Sequence, residues 1–331
     1  MKKNRLVCIL LACLMLALCG CAAAPQKPET TTKPLPAITE PAAEADGFPY
    51  TFTDDTGAEV TLDKRPERAA VLFSSLADVW MTAGGVSAIT VGDSVERGFA
   101  DESAVLVDDG SGRTINLELL LEAKPDFVLY STGIKGQAEC ARILRDAGIP
   151  TAGIKEDSFR DYLDLLKICT DILGTPDAYE TYGTQVKGRV DAILEQAQKR
   201  EDGPSLLFVR VGSAARYTKA KTAENHFVGV MLDELGGSNI ADAAPVLLDG
   251  LSIEEIVLQD PKMILYSTMG KSADAEAYLQ SLLADPAWKT LSSVREGKVI
   301  LLPKDMFQYK PNARWDEAYQ FLFDTLYGEN E

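Results

Sequence analysis

Two segments of this chain lie over one another without a gap: Asn116-Leu-Glu-Leu-Leu-Leu-Glu-Ala-Lys-Pro-Asp-Phe-Val-Leu-Tyr-Ser-Thr132 and Ser252-Ile-Glu-Glu-Ile-Val-Leu-Gln-Asp-Pro-Lys-Met-Ile-Leu-Tyr-Ser-Thr268. Each reads as an Asn or Ser cap, a short helix, a proline break and an apolar strand ending in Tyr-Ser-Thr. Two unrelated αβ units can converge on such a pattern. The shared Glu, Pro and Leu-Tyr-Ser-Thr, all in register, argue instead for one unit used twice.

The rest of the chain repeats the same alternation. Short apolar runs bounded by turn residues stand at 69–73, 88–91, 127–130, 206–211, 263–266 and 299–302. Helical patterns fill the gaps at 76–83, 117–122, 137–147, 159–173, 227–235, 273–283 and 313–326. Alternation of this kind implies βαβ units and mostly parallel sheets. Thr175-Pro176 opens the longest helical candidate, carried by residues 178–199 and stopped at Asp202-Gly203-Pro204. Gly183 and Gly188 lie inside it and weaken it by up to about 1 kcal/mol each, so packing must hold it. The expected fold class is α/β, two Rossmann-like lobes joined by a single long helix. The lobes are residues 48–174 and 202–331, the helix is 175–201, and a ligand cleft lies between the lobes at the C-terminal ends of the strands.

The N-terminus sets the compartment. Lys2, Lys3 and Arg5 precede an apolar run from Leu6 to Leu18, too short to span a bilayer comfortably and flanked like a secretory signal peptide. The run ends in Leu18-Cys19-Gly20-Cys21, which resembles a bacterial lipobox. That resemblance implies cleavage after residue 20 and a lipid on Cys21, placing the chain on the extracytoplasmic face of the cell membrane. Residues 21–47 are rich in Ala, Pro, Thr and Glu, with too little apolar surface to offset ordering entropy, and read as a flexible tether. The formal net charge is −17, more negative still once the three leader cations are gone. With no long basic run, the chain is a poor partner for nucleic acid or for anionic lipid surfaces. Loss of the leader and lipidation of Cys21 leave Cys140 and Cys169, both in helix-interior patterns. They read as buried and free, with pairing left open.

With these residues on the page, the chain resembles the binding proteins of ABC importers for ferric siderophores, haem and cobalamin, the class III periplasmic binding proteins. The resemblance runs from Tyr50 to Tyr327. It rests on Phe52-Thr-Asp-Asp-Thr-Gly-Ala-Glu-Val-Thr-Leu62, Lys64-Arg-Pro-Glu-Arg-Ala-Ala70, Asn116–Glu118 with Lys124–Asp126, Gly148-Ile149-Pro150, Leu235-Gly-Gly-Ser-Asn239 and Arg295-Glu-Gly-Lys-Val299. Where that family usually has Pro-Ser-x-Thr-Glu after its first strand, this chain has Ser74-Ser75-Leu76-Ala77-Asp78. The resemblance implies a monomer that works with ABC permease and ATPase subunits, binds a small-molecule iron chelate and carries no cofactor. It also implies that Glu118 and Glu254, matched in the repeat, sit on top of each lobe and pair with permease arginines. Capping by the helix dipole is the competing role for both.

The ligand-binding candidates are Trp80, Arg97, Tyr130, Arg210, Arg216, Tyr217, Tyr266 and Phe307, with Tyr309 beside the last. They follow strands or end them, and the 210–221 stretch gathers Arg210, Arg216, Lys219 and Lys221 around Tyr217, suited to an anionic ligand with flat rings. His226 is the only histidine, which disfavours a bare zinc or manganese site; it reads as structural, with haem ligation as the alternative. No Gly-x-Ser-x-Gly, His-Glu-x-x-His or Gly-x-x-x-x-Gly-Lys-Ser/Thr motif is present, so an enzyme is the weaker class. An adhesin or sensor module on the same fold is the other alternative.

Overall fold

The computed structural model describes residues 47–328 apart from 111, 113, 201 and 202. The leader, Cys21 and all of the tether but Gly47 lie outside the described residues.

Two parallel sheets form, one from each half of the chain. The first has the order β5-β4-β3-β6-β7, from β3 (Ala69–Val71), β4 (Ile89–Thr90), β5 (Val105–Leu106), β6 (Phe127–Ser131) and β7 (Thr151–Ile154). The second runs β10-β8-β11-β12, from β8 (Ser205–Val211), β10 (Ser238–Asn239), β11 (Met263–Thr268) and β12 (Val299–Leu301), with β9 (Lys219–Ala220) antiparallel on β8. An antiparallel hairpin of β1 (Tyr50–Thr53) and β2 (Glu59–Leu62) precedes them. Every residue of β11 is buried, as expected of a central strand covered on both faces. Asp54 fastens the hairpin to the first sheet, accepting from the Gly153 N–H at 2.8 Å and pairing with Arg145 at 3.0 Å.

The repeat is structural as well as textual. Leu120 and Ile256 occupy equivalent positions and are both fully buried, while Glu118 and Glu254 are both exposed. Lys124 and Asp260, also equivalent, both leave their helices with positive φ, +52° and +42°, just ahead of Pro125 and Pro261. Left-handed backbone at a non-glycine residue is uncommon, so its appearance at the same place twice marks the shared unit.

Between the sheets the chain is helical from Pro176 to Ala197, in three pieces: Pro176–Tyr179, a π-helical turn at Glu180–Thr184, and Gln185–Ala197. Proline takes the first helical position, but Thr175 provides no cap; its hydroxyl donates to the Ala83 carbonyl at 2.7 Å. Gly183 sits under the Tyr179 ring, where an added Cβ would stand 3.1 Å from ring carbons. Val186, Val190, Ile193 and Ala197 recur at helical spacing and are buried against the C-terminal helix Trp315–Tyr327.

That stripe belongs to one hydrophobic core running through both halves. It holds Val71, Phe127 and Leu129 of the first sheet, Tyr162 and Leu166 of the Phe159–Leu173 helix, Phe208 and Leu265 of the second sheet, and Trp315 and Tyr319. A core shared in this way cannot be parted without exposing apolar surface, so the two lobes are held close to one orientation. Polar contacts reinforce the seam: Asn312, fully buried, donates to the Ser75 carbonyl at 3.2 Å and to Asp78 at 2.7 Å.

Candidate functional site

All crossover loops of both sheets leave from the same ends of their strands, and those loops enclose a cleft of about 920 Å³. From the first lobe come Phe73 to Ser75 after β3, Asp93 and Arg97 after β4, Gly133 to Gly136 after β6, and Asp157 after β7. From the second come Arg210 near the end of β8, His226 at the next helix start, Met269 and Gly270 after β11, and Lys304, Tyr309 and Lys310 after β12.

The charges there run against those of the whole chain. Among the described residues, Arg97, Lys135, Arg210, Lys304 and Lys310 line the cleft, with Asp93 and Asp157 as its carboxylates. Arg97 bridges the lobes: its guanidinium donates to Ser74 Oγ at 2.8 Å, approaches Asp93 at 3.9 Å, and lies 3.9 Å from the ring centroid of Tyr309. Ser74 Oγ in turn donates to Asp93. Lys310 crosses from the other side, 3.7 Å from Asp157, with its side chain only 18% exposed. Two cations held in partly dry surroundings attract an anion more strongly than the same charges would in open water.

His226 caps the Phe227–Glu234 helix, its Nδ1 accepting from the Val228 N–H at 3.3 Å. Burial, followed by the nearby charges of Arg210, Lys221 and Lys310, pushes its pKa down to about 3, so the ring is neutral at physiological pH. Its face is packed between Phe208 and Phe227. Among the described residues, no group of three or more His, Cys, Asp or Glu side chains is arranged to hold a metal ion.

The structure divides the residues singled out from the sequence. Arg97 and Arg210 line the cleft, as does Tyr309. Trp80, Tyr130, Tyr266 and Phe307 do not; they are 1%, 2%, 8% and 0% exposed and belong to the hydrophobic cores. Trp80 packs beside Phe127 and over Gly85, where a Cβ would stand 2.3 Å from its indole nitrogen. Tyr130 takes an Arg145 N–H at its hydroxyl, and Phe307 packs on Phe321. Arg216 and Tyr217 pair with each other in the Ala215–Tyr217 turn, an exposed corner outside the cleft lining, because the chain doubles back there through β9. The expected burial of both cysteines is corrected in part: Cys169 is buried and Cys140 half-buried, and both are free. Lys135 and Lys304 also line the cleft, and each stands within a few residues of a strand's C-terminal end, which is the signal that finds them; Lys310 comes only after the short Lys304–Phe307 helix, and no local signal marks it.

The core placement of Trp80 sets a prediction. Trp80→Ala removes a fully buried indole and should cost about 3–5 kcal/mol, a fall in Tm of roughly 6–10 °C by calorimetry. Ligand affinity of the folded fraction should not change; a weakened affinity would return Trp80 to the site.

Glu118 and Glu254 stand apart from the cleft lining on the first turns of the Leu117–Glu122 and Ile253–Gln259 helices, each side chain exposed. Asn116 caps the first helix, accepting from the N–H groups of Glu118 and Leu119 at 3.1 Å each. Ser252 caps the second and donates to Glu254 at 3.1 Å.

A family model described as "Periplasmic binding protein" matches residues 70–306, spanning both sheets and every strand that feeds the cleft. The chain belongs to that family. The periplasmic binding protein resembles a cobalamin-binding protein of Halobacterium salinarum at 27% identity, over 82% of this chain and 70% of the relative. It is 22% identical to the ABC transporter substrate-binding lipoprotein YvrC of Bacillus subtilis, over 96% of this chain and 95% of the relative. In fold it is similar to Staphylococcus aureus SirA, solved with staphyloferrin B, at a TM-score of 0.64 and 16% identity, over 85% of this chain and all of that one, 100%. The fold is thus the two-lobed α/β architecture of a binding protein, not an enzyme.

Proposed function

We propose that the chain is the extracytoplasmic binding component of an ABC importer, lipid-anchored through Cys21, which captures an anionic ferric chelate of the siderophore type. The observation that carries this reading is the gathering, among the described residues, of five cations in one cleft of a strongly acidic chain. An iron centre arriving fully coordinated needs charge and shape from the protein, not ligands. The cleft suits that demand: His226 spends Nδ1 on its helix cap, and the Tyr309 face is covered by Arg97. Haem, which takes an axial side chain and flat stacking surfaces, is less well served. Cobalamin is the second reading, favoured by the relative from Halobacterium salinarum.

Capture would be followed by docking on the two-fold permease through Glu118 and Glu254. Because the lobes share a core, closure over the ligand is a slight rocking rather than a wide hinge.

A thermal-shift panel tests the ligand class. Ferric catecholates, ferric hydroxamates, haem, cobalamin and zinc are added at a hundred times their expected dissociation constants. A true ligand then adds about 2.7 kcal/mol, a rise of roughly 5 °C in Tm. A rise with ferric chelates alone supports the reading, and a rise with cobalamin or haem alone replaces it.

A further inference from the structure

Glu156 lies two residues beyond β7, at the seam of the lobes and directly behind the cleft. It is 7% exposed, and its surroundings leave its charge poorly compensated. One oxygen accepts from Ser75 Oγ at 2.9 Å; the other is buried and makes no hydrogen bond. Ser75 is itself a cleft residue, and its hydroxyl stands 3.3 Å from the Asn312 amide that reaches across from the second lobe.

The charged and titratable groups facing Glu156 come from each element packed around it. The Ser74–Thr82 helix presents Asp78, and the Phe159–Leu173 helix presents Asp161, Tyr162 and Cys169. The second lobe presents Lys310, the one cation among them in the described residues, and Lys310 is shared with Asp157. The carboxylate thus depends on a lysine that also lines the cleft.

An anion entering that cleft engages Lys310 and brings a second negative charge close to Glu156. Both effects disfavour a negative charge on Glu156, whose simplest relief is a proton.

We propose that the cleft captures its anionic ligand together with one proton, taken up by Glu156. This inference rests on the reading of the cleft as an anion site and adds its regulation. Burial already pushes the Glu156 pKa up to about 7, with Lys310 and the Ser75 hydrogen bond restraining it. The group is therefore poised where a modest change in field moves a whole proton. The sign follows: the empty protein's pKa is near neutral and the filled protein's is higher, so protons are bound on capture. Affinity is greatest below pH 6 and declines as the pH rises through the empty protein's pKa. By linkage, a proton that favours the anion is favoured by it in equal measure. Delivery into a more alkaline compartment would then loosen the ligand.

The experiment uses the whole protein and a ferric tris-catecholate as probe. Its affinity should be about tenfold weaker at pH 8 than at pH 6. Titration calorimetry in buffers of differing ionisation heat should register uptake of about half a proton per site at pH 7, rising toward one at pH 8. Glu156→Gln keeps the side chain's shape and its bond with Ser75, so it should bind with the low-pH affinity of the wild type at both pH values and take up no proton. Equal affinity at pH 6 and 8, with equal heats in all buffers, overturns the proposal and leaves the ligand reading intact. If the chelate binds at neither pH, the ligand reading has failed, and infrared titration of the empty protein decides the proton. A carboxylic-acid band that grows between pH 8 and 6 and is missing from Glu156→Gln keeps Glu156 as the titrating group. No such band removes it.

Discussion

Reversing both charges, Glu118→Arg with Glu254→Arg, is expected to reduce ligand uptake by cells to background while leaving the dissociation constant of the purified protein within twofold. The two side chains are exposed, stand outside the cleft lining and occupy the same place in the two copies of the repeated unit. A partner with two-fold symmetry would meet them as one surface met twice, so each reversal replaces an attraction by a like-charge contact. Such contacts cost several kcal/mol, and about 4 kcal/mol is already close to a thousandfold in affinity. One reversal alone should leave measurable uptake, because half of the surface remains. Helix stability is the confounding effect, since a carboxylate in the first turn favours the helix by about 0.3–1 kcal/mol. Asn116→Ala separates the two roles. It removes a cap that accepts two N–H groups and costs about 1 kcal/mol of stability, yet it should leave uptake unchanged. Uptake that survives the double reversal would confine the glutamates to capping.

The parts of this fold that were legible from the sequence are those governed by short-range patterns. The Leu117–Glu122 and Phe159–Leu173 helices have the bounds their apolar periodicity predicts, and the apolar run 263–266 forms the first four residues of β11. β7, Thr151-Ala-Gly-Ile154, carries too little bulk to read as a strand from its sequence. Gly153 is needed there, since a Cβ would come within 2.6 Å of the Tyr130 hydroxyl, a demand made by a residue distant in sequence. β10 is two residues long and exists only by pairing with β8. No local signal announces it.

The cleft was harder to read than the fold for a related reason. In a parallel sheet covered on both faces, an aromatic near a strand's end is surrounded by packing until the strand emerges. Tyr130 and Tyr266 are inside that cover; Ser74, Met269 and Gly270, just past the ends of their strands, are outside it. Large side chains drew attention to the layer just below the site. Of the cations singled out, Arg97 after β4 and Arg210 near the end of β8 line the cleft, whereas Arg216, carried away by the turn before β9, does not. The polar seam of Glu156, Ser75 and Asn312 joins residues more than two hundred positions apart and is visible only in three dimensions.

Arg97→Ala combined with Arg210→Ala should weaken an anionic chelate by about a hundredfold or more, at roughly tenfold or 1.4 kcal/mol for each cation. The pair takes one cation from each lobe, so it tests whether the ligand bridges the cleft or binds one wall. Arg216→Ala with Tyr217→Ala is the matched control from the exposed turn and should stay within twofold. Arg97 needs a further separation of causes, because its guanidinium also stacks on Tyr309 and donates to Ser74. Arg97→Lys keeps the charge and loses the planar stack. If the loss on Arg97→Lys is small and affinity declines steeply with salt, Coulomb attraction holds the ligand. If Arg97→Lys is as damaging as Arg97→Ala and salt matters little, the stack with Tyr309 is what sets the cleft's shape, and the arginine acts by positioning the two lobes rather than by meeting the anion.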